Sequence, residues 1–127
     1  MVDRDAVTTW VNGYERAWRT TGTDALRALF TDDATYAMDP YEEPARGLDA
    51  IGELWERERD GPDEDFTMEH RIVAVDGDTA VVQLEVHYGR SGNEFRDLWL
   101  IRFAADGRCA AFEEWAFWPG KGHGGQD

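Results

Sequence analysis

The hydrophobic period changes along this chain, and that change constrains the fold more than any other feature. Near the start, apolar side chains recur every three to four residues, at Val7, Trp10, Val11, Tyr14 and Trp18. This spacing places them on one face of an amphipathic helix. From residue 66 onward, apolar and polar side chains alternate, which is the period of a strand. The sequence therefore predicts helices first and a sheet afterwards.

Two further helices are predicted before the period changes. Residues 24–30 form a short apolar segment with Thr23 or Asp24 as its cap. A third helical stripe follows at Leu48, Ile51, Leu54 and Trp55. It is predicted to end near residues 60–62, where Gly and Pro stop a helix. Residues 35–38 between these helices read as a short strand.

The second half predicts four strands joined by short turns. The strands are expected at residues 66–75, 79–88, 94–104 and 109–118, with turn sequences between them. Such an order predicts an α+β fold: a cone-shaped, curved antiparallel sheet with three N-terminal helices packed on its concave face. An apolar cone interior is a usual ligand site. Residues 1–118 are expected to form this domain, and the Gly-rich residues 119–127 a flexible tail.

Charge and composition exclude several partners. The chain has 13 basic and 27 acidic residues, a net charge of −14, so nucleic acid and anionic membranes are not expected partners. No apolar run has membrane-spanning length, and we expect a cytoplasmic protein without a signal peptide. The single Cys109 allows no internal disulfide. No His or Cys cluster has metal-ligand spacing, and we expect neither a metal nor another cofactor.

Two segments resemble a known family. The first is Phe-Thr-Asp-Asp-Ala-Thr at residues 30–35, followed by Asp39-Pro40 and by Gly-x-x-Ala-Ile at 47–51. The second is Arg-Phe-Ala-Ala-Asp-Gly-Arg at 102–108. Residues 5–118 resemble the nuclear transport factor 2-like superfamily, in its SnoaL-like and ketosteroid-isomerase-like branch. That superfold hosts isomerases, dehydratases, cyclases, epoxide hydrolases and non-catalytic binders.

The resemblance also implies catalytic positions. Ketosteroid isomerases use an Asp base with an oxyanion hole made of a Tyr and a protonated carboxylic acid. Asp39 matches the base, with one extra residue in the preceding strand, and Tyr14 matches the tyrosine. Trp99 stands where the family has its neutral acid, and an indole N–H is a donor but not an acid. Asp39 could instead bond turn amides before Pro40, and Tyr14 could be a core aromatic.

Other polar candidates lie on the predicted strands. His70 begins a His-x-Ile run that resembles the family's cavity histidine, and could act as an acid or base or cap a strand. Asp97 is either a second cavity carboxylate or the partner of an Arg at the sheet rim. Glu113 and Glu114 must point to opposite sides of their strand. The alignment favours Glu114 in the cone with Phe112, and Glu113 remains open.

The aromatic content predicts the lining of the cone. The chain contains six Trp and four Tyr, and the expected ligand-binding residues are Trp18, Tyr36, Trp55 and Trp99, together with Phe112, Asp97 and Glu114. His87 shares the parity of Gln83 and Glu85 and is expected on the outer face.

Three functions are compatible with these residues and patterns. The first is a cofactor-free acid–base enzyme, an isomerase, dehydratase or cyclase acting on a small apolar molecule with a carbonyl or hydroxyl. Asp39, Tyr14 and His70 would be its catalytic residues. The second is a non-catalytic ligand-binding domain. The third is a dimerisation module whose pocket is filled by Trp side chains. A homodimer through the outer sheet face, with Trp115 and Phe117, is expected from the resemblance.

Overall fold

A computed structural model of the chain describes residues 2–59 and 65–120. Within these ranges the chain forms three helices and six strands, and the helices are Arg4–Trp18 (α1), Leu26–Leu29 (α2) and Leu48–Glu58 (α3). The strands are Phe30–Ala37 (β1), Ala45–Arg46 (β2), Phe66–Asp76 (β3), Thr79–Tyr88 (β4), Glu94–Phe103 (β5) and Cys109–Phe117 (β6). The predicted helix end at 60–62 and most of the predicted tail lie outside the described residues.

The six strands form one curved, unclosed sheet in the order β2-β1-β6-β5-β4-β3. Strands β3 to β6 are the predicted antiparallel meander. The α+β cone with helices is therefore confirmed. One feature of the sheet differs from the prediction, because β1 pairs with β6 in parallel. Local periodicity identifies a strand but carries no information on its distant partner, so this pairing was not predictable.

The segment from residue 24 to 38 differs most from its prediction. The predicted helix is shortened to α2, and Phe30 already begins β1. Strand β1 begins earlier than predicted. A register shift between Phe30 and Thr35 interrupts its pairing with β6, and the sequence pattern did not show this first half of the strand. The two-residue strand β2 was not predicted. It pairs with Thr35 and Tyr36 of β1.

Helix α1 packs its predicted stripe against the sheet. Val7 and Val11 are fully buried, and the indole N–H of Trp10 donates to the Leu29 carbonyl at 2.8 Å. Asp3 caps the start of the helix, and its carboxylate accepts from the Ala6 N–H at 2.8 Å. Core packing of α1 thus holds its last two turns over the sheet, where the cavity described below opens.

Cys109 is buried in the core at the start of β6. Burial raises the pKa of its thiol to about 12, so it stays protonated and is a structural rather than nucleophilic cysteine. No helix in the described part of the chain combines the length and hydropathy that a membrane span needs.

Candidate functional site

A cavity of about 460 Å³ lies between the helices and the sheet. Its walls come from α1, β1, α3 and the four long strands, and are mainly aromatic and aliphatic. The lining residues are Tyr14, Trp18, Tyr36, Met38, Leu54, Glu58, Phe66, Met68, Val86, Tyr88, Ser91, Asn93, Phe95, Asp97, Trp99, Glu114, Ala116 and Trp118. Its size falls within the range of small-molecule sites.

Strand alternation places two carboxylates in this cavity. On β5, Asp97 and Trp99 face inward, and Trp99 lies opposite Glu114 on β6. The Trp99 indole N–H donates to Glu114 Oε2 at 3.3 Å. Asp97 lies opposite Ala116, so Asp97 and Glu114 occupy diagonal positions, which in a sheet are about 7–8 Å apart. The sequence prediction that Asp97, Trp99 and Glu114 share the inner face agrees with this placement.

Two tyrosine hydroxyls form the polar centre of the inner wall. Tyr14 Oη and Tyr36 Oη are 2.6 Å apart and both side chains are buried. Burial raises the pKa of Tyr14 well above its ordinary 10.0, and Tyr36 and Glu114 raise it further. Burial, followed by Glu114, likewise raises the pKa of Tyr36. Both groups are therefore neutral hydroxyls, and the one that does not donate within the pair can donate to a ligand.

Trp55 and Phe112 lie behind this wall and do not line the cavity, so their predicted role as ligand contacts is not supported. The Trp55 ring meets those of Tyr14 and Trp18, each at 4.9 Å between centroids. Phe112 stacks on Tyr36 at 4.5 Å. Both have the predicted side-chain direction, but the next layer of aromatic rings separates them from the cavity.

Asp39 does not lie in the cavity with Tyr14. Its Oδ1 accepts from the Tyr41 N–H at 2.8 Å, which is the turn-capping alternative. It borders a separate depression that also includes Glu113. Met38, one residue earlier, lines the cavity instead, because neighbouring residues of an extended segment point to opposite sides.

His70 also lies outside the cavity lining. It shares the inward parity of Phe66 and Met68, which do line the cavity, and is half-buried opposite Leu84 further along β3. Its side-chain direction matches the resemblance, but its position along the strand does not bring it to Tyr14.

Strand parity decides the remaining predicted positions. Glu114 faces the cavity, whereas Glu113 faces outward and accepts from the Trp115 indole N–H. His87 is exposed on the outer face, as predicted. Alternation along β3 to β5 also identifies several lining residues that were not predicted as ligand contacts: Phe66, Met68, Tyr88 and Phe95. Among the described residues, no three His, Cys, Asp or Glu side chains converge in a manner suited to a metal ion.

Fold and cavity together define a cone-shaped α+β protein with a largely apolar cavity. The sequence profile of the SnoaL-like domain matches residues 11–112, most of the chain. The chain therefore belongs to the SnoaL-like domain family of the nuclear transport factor 2-like superfamily. No curated protein matches it in sequence.

Solved structures share this fold. A candidate polyketide cyclase from Sinorhizobium meliloti is 27% identical, with a TM-score of 0.66 over 84% of this chain and 94% of its own. The epoxide hydrolase/cyclase-like enzyme SalBIII, with a role in pyran ring formation in the polyether salinomycin, is 19% identical with a TM-score of 0.69, covering 94% and 95%. A candidate ketosteroid isomerase from Kribbella flavida is 18% identical with a TM-score of 0.64, covering 97% and 84%.

Proposed function

We propose that this protein is a cofactor-free acid–base enzyme acting on a small apolar molecule with a carbonyl or hydroxyl group. The reaction class is isomerisation, dehydration or cyclisation. One observation carries the proposal: a buried carboxylate, Asp97, and a neutral buried hydroxyl, Tyr14, line the same apolar cavity. The cyclase and isomerase names of structurally similar proteins are consistent with this class of reaction.

Asp97 replaces Asp39 as the proposed proton acceptor. Its carboxylate would take a proton from a carbon next to the substrate carbonyl, and would return it to a different atom of the substrate. Electron density would move onto the carbonyl oxygen as the carbon–hydrogen bond breaks. Proton transfer and stabilisation of the carbonyl oxygen require only Asp97, Tyr14 and a substrate that fills the space between them.

Tyr14 is the proposed donor to the substrate oxygen. If Tyr36 donates within the 2.6 Å pair, the Tyr14 O–H is directed into the cavity. Its raised pKa keeps the proton on Tyr14, which therefore stabilises a developing oxyanion by hydrogen bonding rather than by ionising.

Replacing Tyr14 by Phe is expected to lower turnover about a hundredfold, the usual loss for one oxyanion donor. The probe is 5-nitrobenzisoxazole, a flat neutral molecule whose ring opens when a base removes one carbon-bound proton. The N–O bond breaks and a phenolate oxygen forms, to which Tyr14 would donate. The measured quantity is kcat/KM at neutral pH.

Tyr88→Phe is the matched control, because Tyr88 lines the cavity among other aromatic rings, on strand β4. It should retain the parent kcat/KM. Equal losses in both variants, or no loss in Tyr14→Phe, would contradict the donor role. A non-catalytic binding domain, the alternative function, would bind the probe and open it no faster than buffer does.

We also propose a homodimer that forms through the outer sheet face. Trp115 and Phe117 are exposed there, by 37% and 40%. Trp115→Lys is expected to convert a particle of twice the 14.5 kDa chain mass into a monomer, measured by light scattering after size exclusion. The control is Tyr41→Lys, an exposed aromatic that lies outside every strand. A parent protein that elutes as a monomer would exclude this dimer.

A further inference from the structure

The cavity lining is acidic, and its described residues include no basic side chain. Three carboxylates line it, from Glu58, Asp97 and Glu114. Glu114 has a neutral indole N–H as its hydrogen-bond donor, at 3.3 Å. A carboxylate in a largely apolar cavity is stabilised far better by a positive charge than by a neutral donor. Glu114 therefore favours a ligand that brings such a charge.

Two described cations lie against rings that line the cavity. Arg19 stacks on Phe66, with its guanidinium carbon 3.8 Å from the ring centroid, and forms an ion pair with Glu15 at 2.9 Å. Arg59 is buried near Trp18 and bonds to backbone carbonyls. Neither side chain lines the cavity. Both are already engaged elsewhere.

Aromatic rings line the same cavity as the carboxylates. Close to Glu114, the rings of Tyr14 and Trp99 are 4.4 Å apart. A second group borders the cavity further along the sheet, where successive ring centroids are 5.8–6.0 Å apart: Phe66, Tyr88, Phe95 and Trp118. Ring faces attract organic cations and repel anions. Carboxylates and ring faces within one cavity both select for positive charge.

We propose that the physiological ligand carries a protonated amine, bound by Glu114 and the surrounding aromatic rings. The inference deepens the proposed function and rests on it, since it assigns a charge to the substrate of the same cavity. An ammonium group would also offset the repulsion between Glu114 and an oxyanion at Tyr14. The net charge of −14 would favour the approach of a cation and disfavour that of an anion.

Three ligands with the same frame test this assignment. They are biphenyl-4-ylmethanamine, biphenyl-4-ylmethanol and biphenyl-4-carboxylate, which are positive, neutral and negative near neutral pH. Isothermal titration calorimetry at low salt measures each Kd for the parent protein. We expect the amine to bind at least about tenfold more tightly than the alcohol, a difference of about 1.4 kcal/mol, and the carboxylate to bind most weakly.

Glu114→Gln should remove the amine preference while leaving the Kd of the alcohol near its parent value. Glu113→Gln is the matched control, since it removes the same charge one residue away on the outer face. An alcohol that binds as tightly as the amine, or a preference that survives Glu114→Gln, would overturn the assignment. The proposed function would still stand in that case, provided that turnover of the neutral 5-nitrobenzisoxazole depends on Tyr14. Failure of the parent to bind any of the three would also overturn the assignment.

Discussion

Replacing Asp97 by Asn is expected to lower the turnover of 5-nitrobenzisoxazole by about 10²–10⁴-fold, the range for loss of a positioned general base. The amide has nearly the shape of the carboxylate but cannot accept a proton at neutral pH. Asp97 is 7% exposed and lies between two inward aromatic residues of β5, Phe95 and Trp99. The measurement is kcat/KM for the parent and the variant.

Asp39→Asn provides the matched control for this experiment. It makes the same chemical change at the position that the family resemblance selected, but outside the cavity. We expect its kcat/KM to equal that of the parent. A loss in Asp39→Asn with none in Asp97→Asn would restore the base assigned from sequence. Circular dichroism of both variants would separate a change in chemistry from a failure to fold.

The strands were predictable from the sequence because their alternation is local. A period of two is visible over about ten residues, and it predicted the bounds of β4 and the shared face of Asp97 and Trp99. The family resemblance predicted that this face points inward. Alternation also placed Glu113 and Glu114 on opposite sides of their strand. Only the prediction of which one faces inward depended on alignment. Side-chain direction within a regular strand is therefore the property of this site that local sequence determines most directly.

The direction of Asp39, which follows β1, was not predictable in the same way. Neighbouring residues of an extended segment point to opposite sides, and here Met38 points inward. A family motif fixes the order of residues but not the side to which each points, so Asp39 matched in sequence while Met38 lines the cavity. Trp55, Phe112 and His70 do not line the cavity for a different reason, which is their position within the fold. Their sides were predicted, but which residues lie between them and the cavity depends on helix packing.

The burial of Arg59 was also not predictable from the sequence, since a charged residue after a helix is ordinarily expected at the surface. Its side chain is only 2% exposed. Its guanidinium donates to carbonyls at the end of α1 and in the following turn, those of Ala17 at 3.2 Å, Trp18 at 3.3 Å, Thr20 at 2.9 Å and Gly22 at 3.0 Å. Terminal carbonyls of a helix lack partners within it, and a positive charge there is favourable. Arg59 thus joins the ends of α1 and α3.

Arg59→Met is expected to lower the free energy of unfolding by about 2–4 kcal/mol. Methionine retains much of the aliphatic volume beside Trp18 and Trp55 but supplies no donor, so several carbonyls would lose a charged hydrogen-bond partner. Urea denaturation followed by Trp fluorescence measures the change. Because Trp18 lines the cavity and its carbonyl bonds to Arg59, the variant should also bind the biphenyl amine more weakly.

Arg57→Met separates the buried contacts of Arg59 from a general loss of positive charge at the end of α3. Arg57 lies in the last turn of the same helix and is exposed. Its replacement should change the unfolding free energy by less than about 0.5 kcal/mol, as surface substitutions do. Similar losses in the two variants would mean that net charge, rather than the bonds to α1, sets the effect. An unchanged urea midpoint in Arg59→Met would show that solvent satisfies these carbonyls equally well. The end of α1 would then hold Trp18 against the cavity by packing alone.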